Sequence, residues 1–329
     1  MYLNRNPVLR PEAALAVARP VASPSRSRSW LGAFEWCDGR IRLRKTGNSA
    51  ALDARLLAEV AIWLGYHVIV RARSVSRLFS RSAAPRIWFT PDVPEPWYMV
   101  RTAALWAGIR LARTPAEADA AFFFDDATTS HAPAPQVARH FNFAGSDISK
   151  SRVARVFGEV LGYSLAVDPK LHVGPALEKG EANGAHDGRV VECPLAPLPG
   201  KVYQRLIDTI GADGLHREFR THVVGGKVVA VWEKRRLAAQ RFLPPNVSAE
   251  RRVIEAVFTT EECDRIGRFA LAMGLDWTGL DILRDRSDGR LYIVDANKTD
   301  AGPIIALSLR EKLASTATLA AALLTLIDG

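Results

Sequence analysis

Two apolar segments near the C-terminus constrain the fold most, because each carries an aspartate inside a β-strand pattern. Residues 279–283 read Gly-Leu-Asp-Ile-Leu, and residues 291–297 read Leu-Tyr-Ile-Val-Asp-Ala-Asn. A buried carboxylate costs free energy unless it has a partner. Asp295 and Asn297 are two residues apart, so they face the same side of a strand. Oxygen ligands on adjacent strands suit a hard divalent cation, and Asp281, Asp295 and Asn297 are therefore a candidate metal site. The alternative is two solvated strand ends.

A glycine pair predicts a β-hairpin upstream of these strands. Residues 217–224 and 227–232 are strand-like, and the two residues between them are both glycine, which favours a two-residue turn. Regular pairing across that turn places Arg220 and Arg235 on one face. Two guanidinium groups on one face can hold phosphate oxygens. The alternative is a surface hairpin whose arginines contact water.

A glycine-containing segment, residues 178–188, is a weaker candidate for a phosphate-binding loop. Gly180, Gly184 and Gly188 recur at a spacing of four, which would let backbone amides approach phosphates. Lys179 lies at the base of this segment and could reach the same phosphates. The segment differs from a P-loop because no Gly-Lys-Ser/Thr follows it.

Composition excludes several classes of protein. Hydrophobic residues make up 48% of the 329 residues and charged residues 24%, so wholesale disorder is excluded. The longest apolar run, residues 317–327, is shorter than the ~20 residues that cross a bilayer. The three cysteines are far apart, which excludes a disulfide scaffold and a zinc ribbon and fits a reducing compartment. Since no signal-peptide core follows the N-terminus, we expect a cytoplasmic protein that binds no membrane.

The formal net charge of +9 has two interpretations. Basic chains bind nucleic acid, or they bind a polyanionic small molecule such as a nucleotide. The arginines are scattered along the chain without a dense basic block. This distribution favours a basic enzyme over a nucleic-acid-binding protein.

Changes of pattern divide the chain into four parts. Residues 1–50 are weakly patterned and include an Arg/Ser-rich stretch at 19–29, so we predict a partly flexible N-terminal arm. Residues 51–144 alternate between helix and strand patterns, which predicts an α/β domain with a parallel sheet. Residues 145–200 and 201–329 form two further units, the second rich in strand patterns.

The α/β domain has a specific predicted order. The predicted elements are a helix over 52–64 that ends at Gly65, strands over 67–70 and 86–90, a helix over 97–107 and a strand over 120–124. Asp125 and Asp126 follow the last strand, where ligands of such sheets bind. They are candidates to contact a substrate amine, or they form a solvated turn.

In order and spacing, these motifs resemble the ATP-grasp superfamily. The resemblance is best with its carboxylate–amine ligases, such as glutathione synthetases and ribosomal-protein glutamate ligases, and it covers roughly residues 145–310. It rests on Lys179 with its glycine segment, the apolar strand at 201–208, the arginine hairpin and the final Asp…Asp-Ala-Asn. The fold class it implies is α/β (α+β): an ATP-grasp fold with central and C-terminal subdomains, preceded by an α/β pre-ATP-grasp-like domain.

The resemblance also implies roles for the candidate residues. The ATP-binding residues would be Lys150, Lys179 and Gly184 at the phosphates, Tyr203, Gln204 and Leu206 at the adenine through the backbone of their strand, and Asp208 at the ribose. The catalytic residues would be Arg220 and Arg235, at the γ-phosphate and the acyl phosphate. The ligands of two Mg²⁺ ions, with Mn²⁺ as an alternative, would be Asp281, Asp295 and Asn297. Asp295 stands where the superfamily usually has glutamate, and its side chain is one methylene shorter.

The activity implied is the ATP-dependent joining of a carboxylate to an amine through an acyl phosphate. The substrates would be ATP and a small-molecule or peptide acid and amine, and the chain is a candidate homodimer. Two alternatives stay open. One is an ATP-grasp kinase that phosphorylates a small-molecule hydroxyl, and the other is a regulator that binds ATP without turnover.

Overall fold

The computed structural model describes residues 34–37, 39–43, 49–51, 53–80, 84–185, 187–238 and 246–329. The chain divides into two compact units, residues 1–52 and 53–329. In the first unit, three short antiparallel strands form a sheet in the order β1-β2-β3. These strands are β1 (Phe34–Cys37), β2 (Arg40–Leu43) and β3 (Ser49–Ala51). The N-terminal part of the predicted arm, including the stretch at 19–29, lies outside the described residues.

The second unit begins with a long helix, α1 (Ala54–Ser80). The predicted helix end at Gly65 and the predicted strand at 67–70 are both wrong, because α1 continues through them. Tyr66 and Val70 are buried and lie one turn apart on the same face of the helix. A short apolar run fits a strand or a buried helix equally well, and packing of this face decides for the helix.

The predicted parallel sheet is confirmed. Its strands have the order β5-β4-β6-β7 and pair in parallel throughout. They are β4 (Arg86–Pro91), β5 (Arg110–Leu111), β6 (Ala120–Phe124) and β7 (Arg139–Phe141), with helix α2 (Met99–Ala107) between β4 and β5. Gly108 ends α2 with a φ of 76°, a conformation that glycine adopts without strain. Because β4 and β6 run parallel, the start of α2, which follows β4, and the end of β6 lie at the same edge of the sheet.

A small antiparallel sheet follows, in the order β10-β8-β9. Its strands are β8 (Gly174–Gly180), β9 (Arg189–Cys193) and β10 (Lys201–Arg205), and helix α3 (Lys150–Leu161) precedes them. Lys179 pairs with Val202, and Leu177 pairs with Gln204. Since paired residues share a face, these four side chains lie on the same face of the small sheet.

A larger antiparallel sheet completes the unit, in the order β13-β12-β11-β14-β15. Its strands are β11 (Leu215–Val224), β12 (Lys227–Leu237), β13 (Ser248–Arg252), β14 (Trp277–Arg284) and β15 (Leu291–Asn297), accompanied by helices α4 (Thr260–Ala272) and α5 (Leu309–Asp328). Val224 pairs with Lys227, which confirms the two-glycine turn. The mixed α/β class predicted from the sequence is confirmed.

The larger sheet is buried on both faces over part of its area. One face packs in a cluster with α3 and α4 through residues such as Val223, Val231 and Phe269. The other packs in a cluster with α2 and α5 through residues such as Trp232 and Trp277. Further along that second face the side chains are charged, and they form the candidate site described below. No helix among the described residues has the length and apolarity needed to span a membrane.

Candidate active site

A row of charged side chains crosses the larger sheet at β11, β14 and β15. Arg220 pairs with Asp281, which pairs with Asp295. Gly279 pairs with Asn297 on the same two strands, so Asn297 shares the face of Asp295. Arg220 Nη1 lies 2.9 Å from Asp281 Oδ2. The structure thus brings together the three residues predicted as metal ligands and places one predicted catalytic arginine beside them.

Lys150 extends this row from the start of α3. Its Nζ lies 2.5 Å from Asp295 Oδ1 and donates a hydrogen bond to Asn183 Oδ1 at 3.3 Å. Asn183 Nδ2 in turn donates to Asn297 Oδ1 at 3.1 Å. Lys150, for which the resemblance implied a phosphate-binding role, therefore lies beside the predicted metal ligands Asp295 and Asn297, and Asn183 joins it. Asn183 was not predicted, although its place between Gly180 and Gly184 was the signal available.

One basic residue of β12, Lys234, contacts the same row, and a second, Arg236, is linked to it through Glu218; sequence reasoning missed both. Lys234 Nζ lies 3.0 Å from Asp281 Oδ1 and also pairs with Glu218. Arg236 Nη1 lies 2.5 Å from the other carboxylate oxygen of Glu218. Burial opposes ionisation of Asp281, but Arg220 and Lys234 outweigh it and hold the pKa of that carboxyl well below its usual range. Asp281 is therefore an ionised carboxylate held by two cations. Together with its neighbours it forms the charged network, which consists of Arg220, Asp281, Asp295, Lys150, Lys234, Glu218 and Arg236.

Arg235, the other predicted catalytic arginine, does not face this network. A β-bulge between His222 and Val223 shifts the pairing of β11 with β12, so that Arg220 pairs with Trp232 and Arg217 with Arg235. A shift of one residue moves every later side chain to the opposite face. The predicted same-face pair of Arg220 and Arg235 is therefore wrong. Arg235 instead contacts Glu233 at 2.8 Å and Glu250 at 3.4 Å.

An aspartate beyond the end of β15 completes the network. Asp300 pairs with Arg220 Nη2, and its Oδ2 lies 3.2 Å from Nδ1 of the buried His222. Burial raises the pKa of the Asp300 carboxyl, but Arg220 and His222 outweigh it and lower the pKa below its ordinary value. Asp300 could not be recognised from the sequence pattern, because it follows the strand rather than lying within it.

Lys179 approaches the network from the small sheet. It is half-buried, and burial together with the positive charge of Lys150 lowers its pKa to about 8, while Asp295, Glu218 and Asp281 act in the opposite direction. Lys179 therefore titrates just above neutral pH. A lysine with this pKa is protonated at pH 7 and neutral at pH 9.

A cavity of about 100 Å³ lies between the two antiparallel sheets. The small sheet contributes Lys179 and Gln204 to its lining, the larger sheet contributes Leu283 and Val294, and Ile207 lies between the sheets along the chain. Gln204 is 1% exposed, and neither of its amide atoms has a hydrogen-bond partner among the described residues. Buried amides are normally paired, so this one suits a ligand with its own donor and acceptor.

The other predicted adenine and ribose residues do not line this cavity. The Tyr203 hydroxyl donates to Glu178 Oε2 at 2.9 Å, and the Tyr203 carbonyl accepts from Val167 N at 3.0 Å. Asp208 is exposed and accepts from Ile210 N at 3.0 Å. Leu206 is half-buried beside Ile207 and is absent from the lining.

The predicted phosphate-binding segment is attached at its base. Gly180 N donates to both oxygens of Asp187 at 3.0 Å, and Asp187 lies 2.7 Å from Lys201 Nζ. Gly184 is exposed and has a φ of 72°, which glycine tolerates. His186 lies outside the described residues. Within the described part of the segment, Asn183 rather than Gly184 is the residue that contacts the charged network.

A second, larger cavity lies away from the charged network. It has a volume of about 500 Å³ and lies between α3 and β10, with lining residues such as Gly158, Val167 and Val202. Tyr203 and Gln204 also line it, so Gln204 borders both cavities. None of the network's carboxylates lines it. At the edge of the parallel sheet, Asp125 accepts from Ala127 N at 2.8 Å and Asp126 from the Tyr98 hydroxyl at 2.7 Å.

The donor set fits Mg²⁺ bound together with a phosphate ligand. Among the described residues, no group of three or more His, Cys, Asp or Glu side chains is arranged to hold a metal. Asp281, Asp295 and Asn297 supply two carboxylates and one amide oxygen. Mg²⁺ typically takes one or two carboxylates and completes its shell with water and substrate phosphates. These residues therefore fit a shared ion and not a closed, all-protein metal site.

Comparisons with known proteins give matches in structure alone. No family model and no curated protein sequence matches the chain. The ATP-grasp ligase PsnB, complexed with minimal precursor, Mg and ADP, is 15% identical, with a TM-score of 0.47, over 74% of this chain and 96% of its own. D-alanine–D-alanine ligase from Bacillus anthracis is 10% identical, with a TM-score of 0.43, over 74% and 97%.

A RimK domain ATP-grasp protein from Sphaerobacter thermophilus is 13% identical, with a TM-score of 0.44, over 74% of this chain and 100% of its own. Two of these three similar structures, PsnB and the RimK domain protein, are ATP-grasp proteins.

Proposed function

We propose that the chain is an ATP-dependent ligase that joins a carboxylate to an amine through an acyl phosphate, with Mg²⁺. The observation that carries this proposal is the cross-strand row of Arg220, Asp281 and Asp295 on one face of the larger sheet. Lysines contact or approach that row from three other elements, which are α3, β8 and β12. A site in which cationic and carboxylate side chains alternate in this way can bind a polyphosphate together with a divalent ion.

The charge pattern argues for function rather than stability. Buried ion pairs contribute little net stability, since desolvation offsets their attraction. Clusters of perturbed ionisable groups are instead typical of active sites. When Mg²⁺ and a triphosphate bind, Asp281 and Asp295 would hold the ion, and Lys150 and Lys234 would turn from these carboxylates to phosphate oxygens. The carboxylates and ammonium groups that now neutralise one another would then neutralise Mg²⁺ and the phosphates, respectively.

The cavity between the sheets supports a nucleotide as the ligand. Its lining combines apolar side chains with the unpaired amide of Gln204, the ammonium of Lys179 and charged residues that include Glu218 and Arg236. A nucleobase has apolar faces and an edge with both a donor and an acceptor. Gln204 is thus proposed to bind the base edge and Lys179 the phosphates. The implied backbone contacts of Tyr203 and Leu206 with the base, and of Asp208 with the ribose, stay predictions.

The proposed chemistry needs alignment and charge neutralisation rather than a protein nucleophile. Mg²⁺, when bound, would neutralise charge on the phosphate oxygens. Arg220 would donate to the phosphoryl group as it passes to the substrate carboxylate, and Lys234 would lie beside it. An amine then attacks the acyl phosphate, and phosphate leaves. Arg236, which shares the face of Arg220, takes the place that the sequence prediction gave to Arg235.

Product analysis tests this proposal against its alternatives. The chain is incubated with ATP and Mg²⁺ and with panels of acids and amines, and ADP and inorganic phosphate are measured. Release of both that requires an acid and an amine supports the ligase. ADP with a stable phosphoester indicates the kinase instead, and ATP binding without ADP indicates the regulator. The Asp295→Ala variant tests the role of Mg²⁺. It should stay folded but lose the Mg²⁺ dependence of ATP binding.

A further inference from the structure

Arg220 is held by two carboxylates and not by one. Its Nη1 lies 2.9 Å from Asp281 Oδ2, and its Nη2 pairs with Asp300. The Arg220 side chain is 13% exposed and that of Asp300 is 6% exposed. Few other orientations are therefore open to this guanidinium while both carboxylates keep their positions.

Asp300 is itself held by a second residue of β11, His222, and by the start of α2. Its Oδ2 lies 3.2 Å from Nδ1 of His222, a residue with no exposed surface whose ring packs edge-on against Trp277 at 4.7 Å between centroids. The main-chain carbonyl of Asp300 accepts from Met99 N at 2.9 Å, at the start of α2. Asp300 is thus held by its side chain and by its backbone.

A glycine provides the space for this pair. A Cβ atom at Gly279 would lie 2.3 Å from Asp300 Oδ2 and 3.0 Å from Arg220 Nε. Neither separation is compatible with ordinary van der Waals contact. Any larger residue at this position would push Asp300 or Arg220 from its place, so Gly279, His222 and Asp300 together form a built pocket for the guanidinium.

We propose that Asp300 is a positioning residue that holds Arg220 in the orientation needed to bind the transferred phosphoryl group. The proposal rests on the function proposed above. Asp281 is also a proposed Mg²⁺ ligand, and a carboxylate that binds an ion is less available to orient an arginine. Asp300 is not among the proposed ligands. It therefore keeps Arg220 in place when Asp281 changes partner.

Steady-state kinetics of Asp300→Asn tests the catalytic part. This variant keeps the shape of the side chain and removes its charge. Loss of a residue that orients a binding group typically costs about 10–100-fold in activity. We expect kcat to fall by that factor with little change in the KM for ATP. The control is Asp285→Asn, since Asp285 is an equally buried aspartate that accepts from Ser287 in a turn beyond β14; it should keep wild-type kcat. Wild-type kcat in Asp300→Asn would overturn the proposal.

A second measurement tests the position of Arg220 directly and does not depend on turnover. The Nε–H resonance of Arg220 is observed by NMR in the ¹⁵N-labelled full chain and assigned by its loss in Arg220→Lys. Its exchange with water should be slow in the wild type and faster in Asp300→Asn and in Gly279→Ala. Unchanged exchange in both variants would overturn the positioning role. A wild type that releases no ADP with any acid and amine would contradict the proposed function alone, because the exchange rates would still decide the role of Asp300.

Discussion

Arg220 is the residue on which the proposed chemistry depends most. A preorganised donor of this kind acts on charge that develops in the transition state, and its removal typically costs about 10²–10³-fold in turnover. Arg220→Ala should lower kcat by that factor, while ATP affinity falls much less. Arg220→Lys should recover only part of the loss, since an ammonium cannot reproduce the two-pronged geometry. ADP release under steady-state conditions measures both variants.

Circular dichroism of the same variants separates catalysis from folding. An arginine with only a structural surface role would change the free energy of unfolding by under ~0.5 kcal/mol and leave turnover intact. Near wild-type turnover in a folded Arg220→Ala would contradict the phosphate-binding assignment. It would also remove much of the support for the ligase.

Lys179 predicts a specific pH dependence of nucleotide binding. Burial and Lys150 lower its pKa to about 8, so the free protein loses this positive charge as the pH rises through that value. A bound phosphate favours the protonated form and raises the pKa. ATP affinity in Mg²⁺ should therefore be highest below pH 8 and should fall between about pH 8 and 10. Calorimetric titration at several pH values measures this decline.

Lys179→Arg is the matched control for this pH dependence. An arginine stays charged throughout the range, so the decline above pH 8 should disappear in the variant. If the decline persists unchanged in Lys179→Arg, another group causes it, and Lys179 does not bind the phosphates.

Among the elements, the β11–β12 hairpin decides which arginine faces the site. Lys234 and Arg236 share the face of Arg220, whereas Arg235 lies on the opposite face with Glu233. Hydrogen bonds to charged groups contribute about 1.5–3 kcal/mol. Arg236→Ala should therefore weaken the binding of a non-hydrolysable ATP analogue by about 10–100-fold. Arg235→Ala should leave it nearly unchanged, and the reverse order in calorimetry would contradict the observed register.

The β11–β12 hairpin was only partly predictable from the sequence. The two-glycine turn was predicted because the residue types of a tight turn are local. The bulge near Val223 was not predicted, since a bulge depends on how the sheet twists and packs. This bulge alone places Arg235 on the face opposite to the predicted one. The strand predicted at 67–70 failed for a similar reason. Three consecutive apolar residues, 68–70, suit a strand or a helix, and burial of Tyr66 and Val70 against the rest of the unit decided between them.

The candidate site was partly predictable for a related reason. Asp281, Asp295 and Asn297 stand out because polar residues interrupt apolar strands, which is visible without a structure. Lys234, Arg236 and Glu218 alternate with hydrophobic or other charged residues, as in any exposed hairpin. Asp300 lies in an irregular segment. Only the tertiary arrangement brings these four residues to one place.

At the scale of the whole second unit, the proposed ligand site is shared between two antiparallel sheets. Lys179 and Gln204 come from the small sheet, and Leu283 and Val294 from the larger one. Lys150 and Asp295 form one ion pair across 145 residues of sequence. A nucleotide bound in this cavity would contact both sheets at once, so its binding free energy would stabilise their arrangement as well as their separate folds.

Hydrogen exchange with and without Mg²⁺ and a non-hydrolysable ATP analogue tests this shared site. Strands β8, β10, β14 and β15 should gain protection together, and the segment 180–188 should change from rapid to slow exchange as its amides approach phosphate. At about 100 times the dissociation constant, the ligand should add about 2.7 kcal/mol of stability, or roughly 5 °C in the unfolding temperature. Asp295→Ala should show both effects weakened, because the phosphates then lack their ion.

Protection confined to one sheet, or equal exchange of the segment in both states, would mean that the nucleotide does not bind between the sheets. The phosphate-binding roles of Lys150 and Lys179 would then fail together, since both depend on the same ligand position.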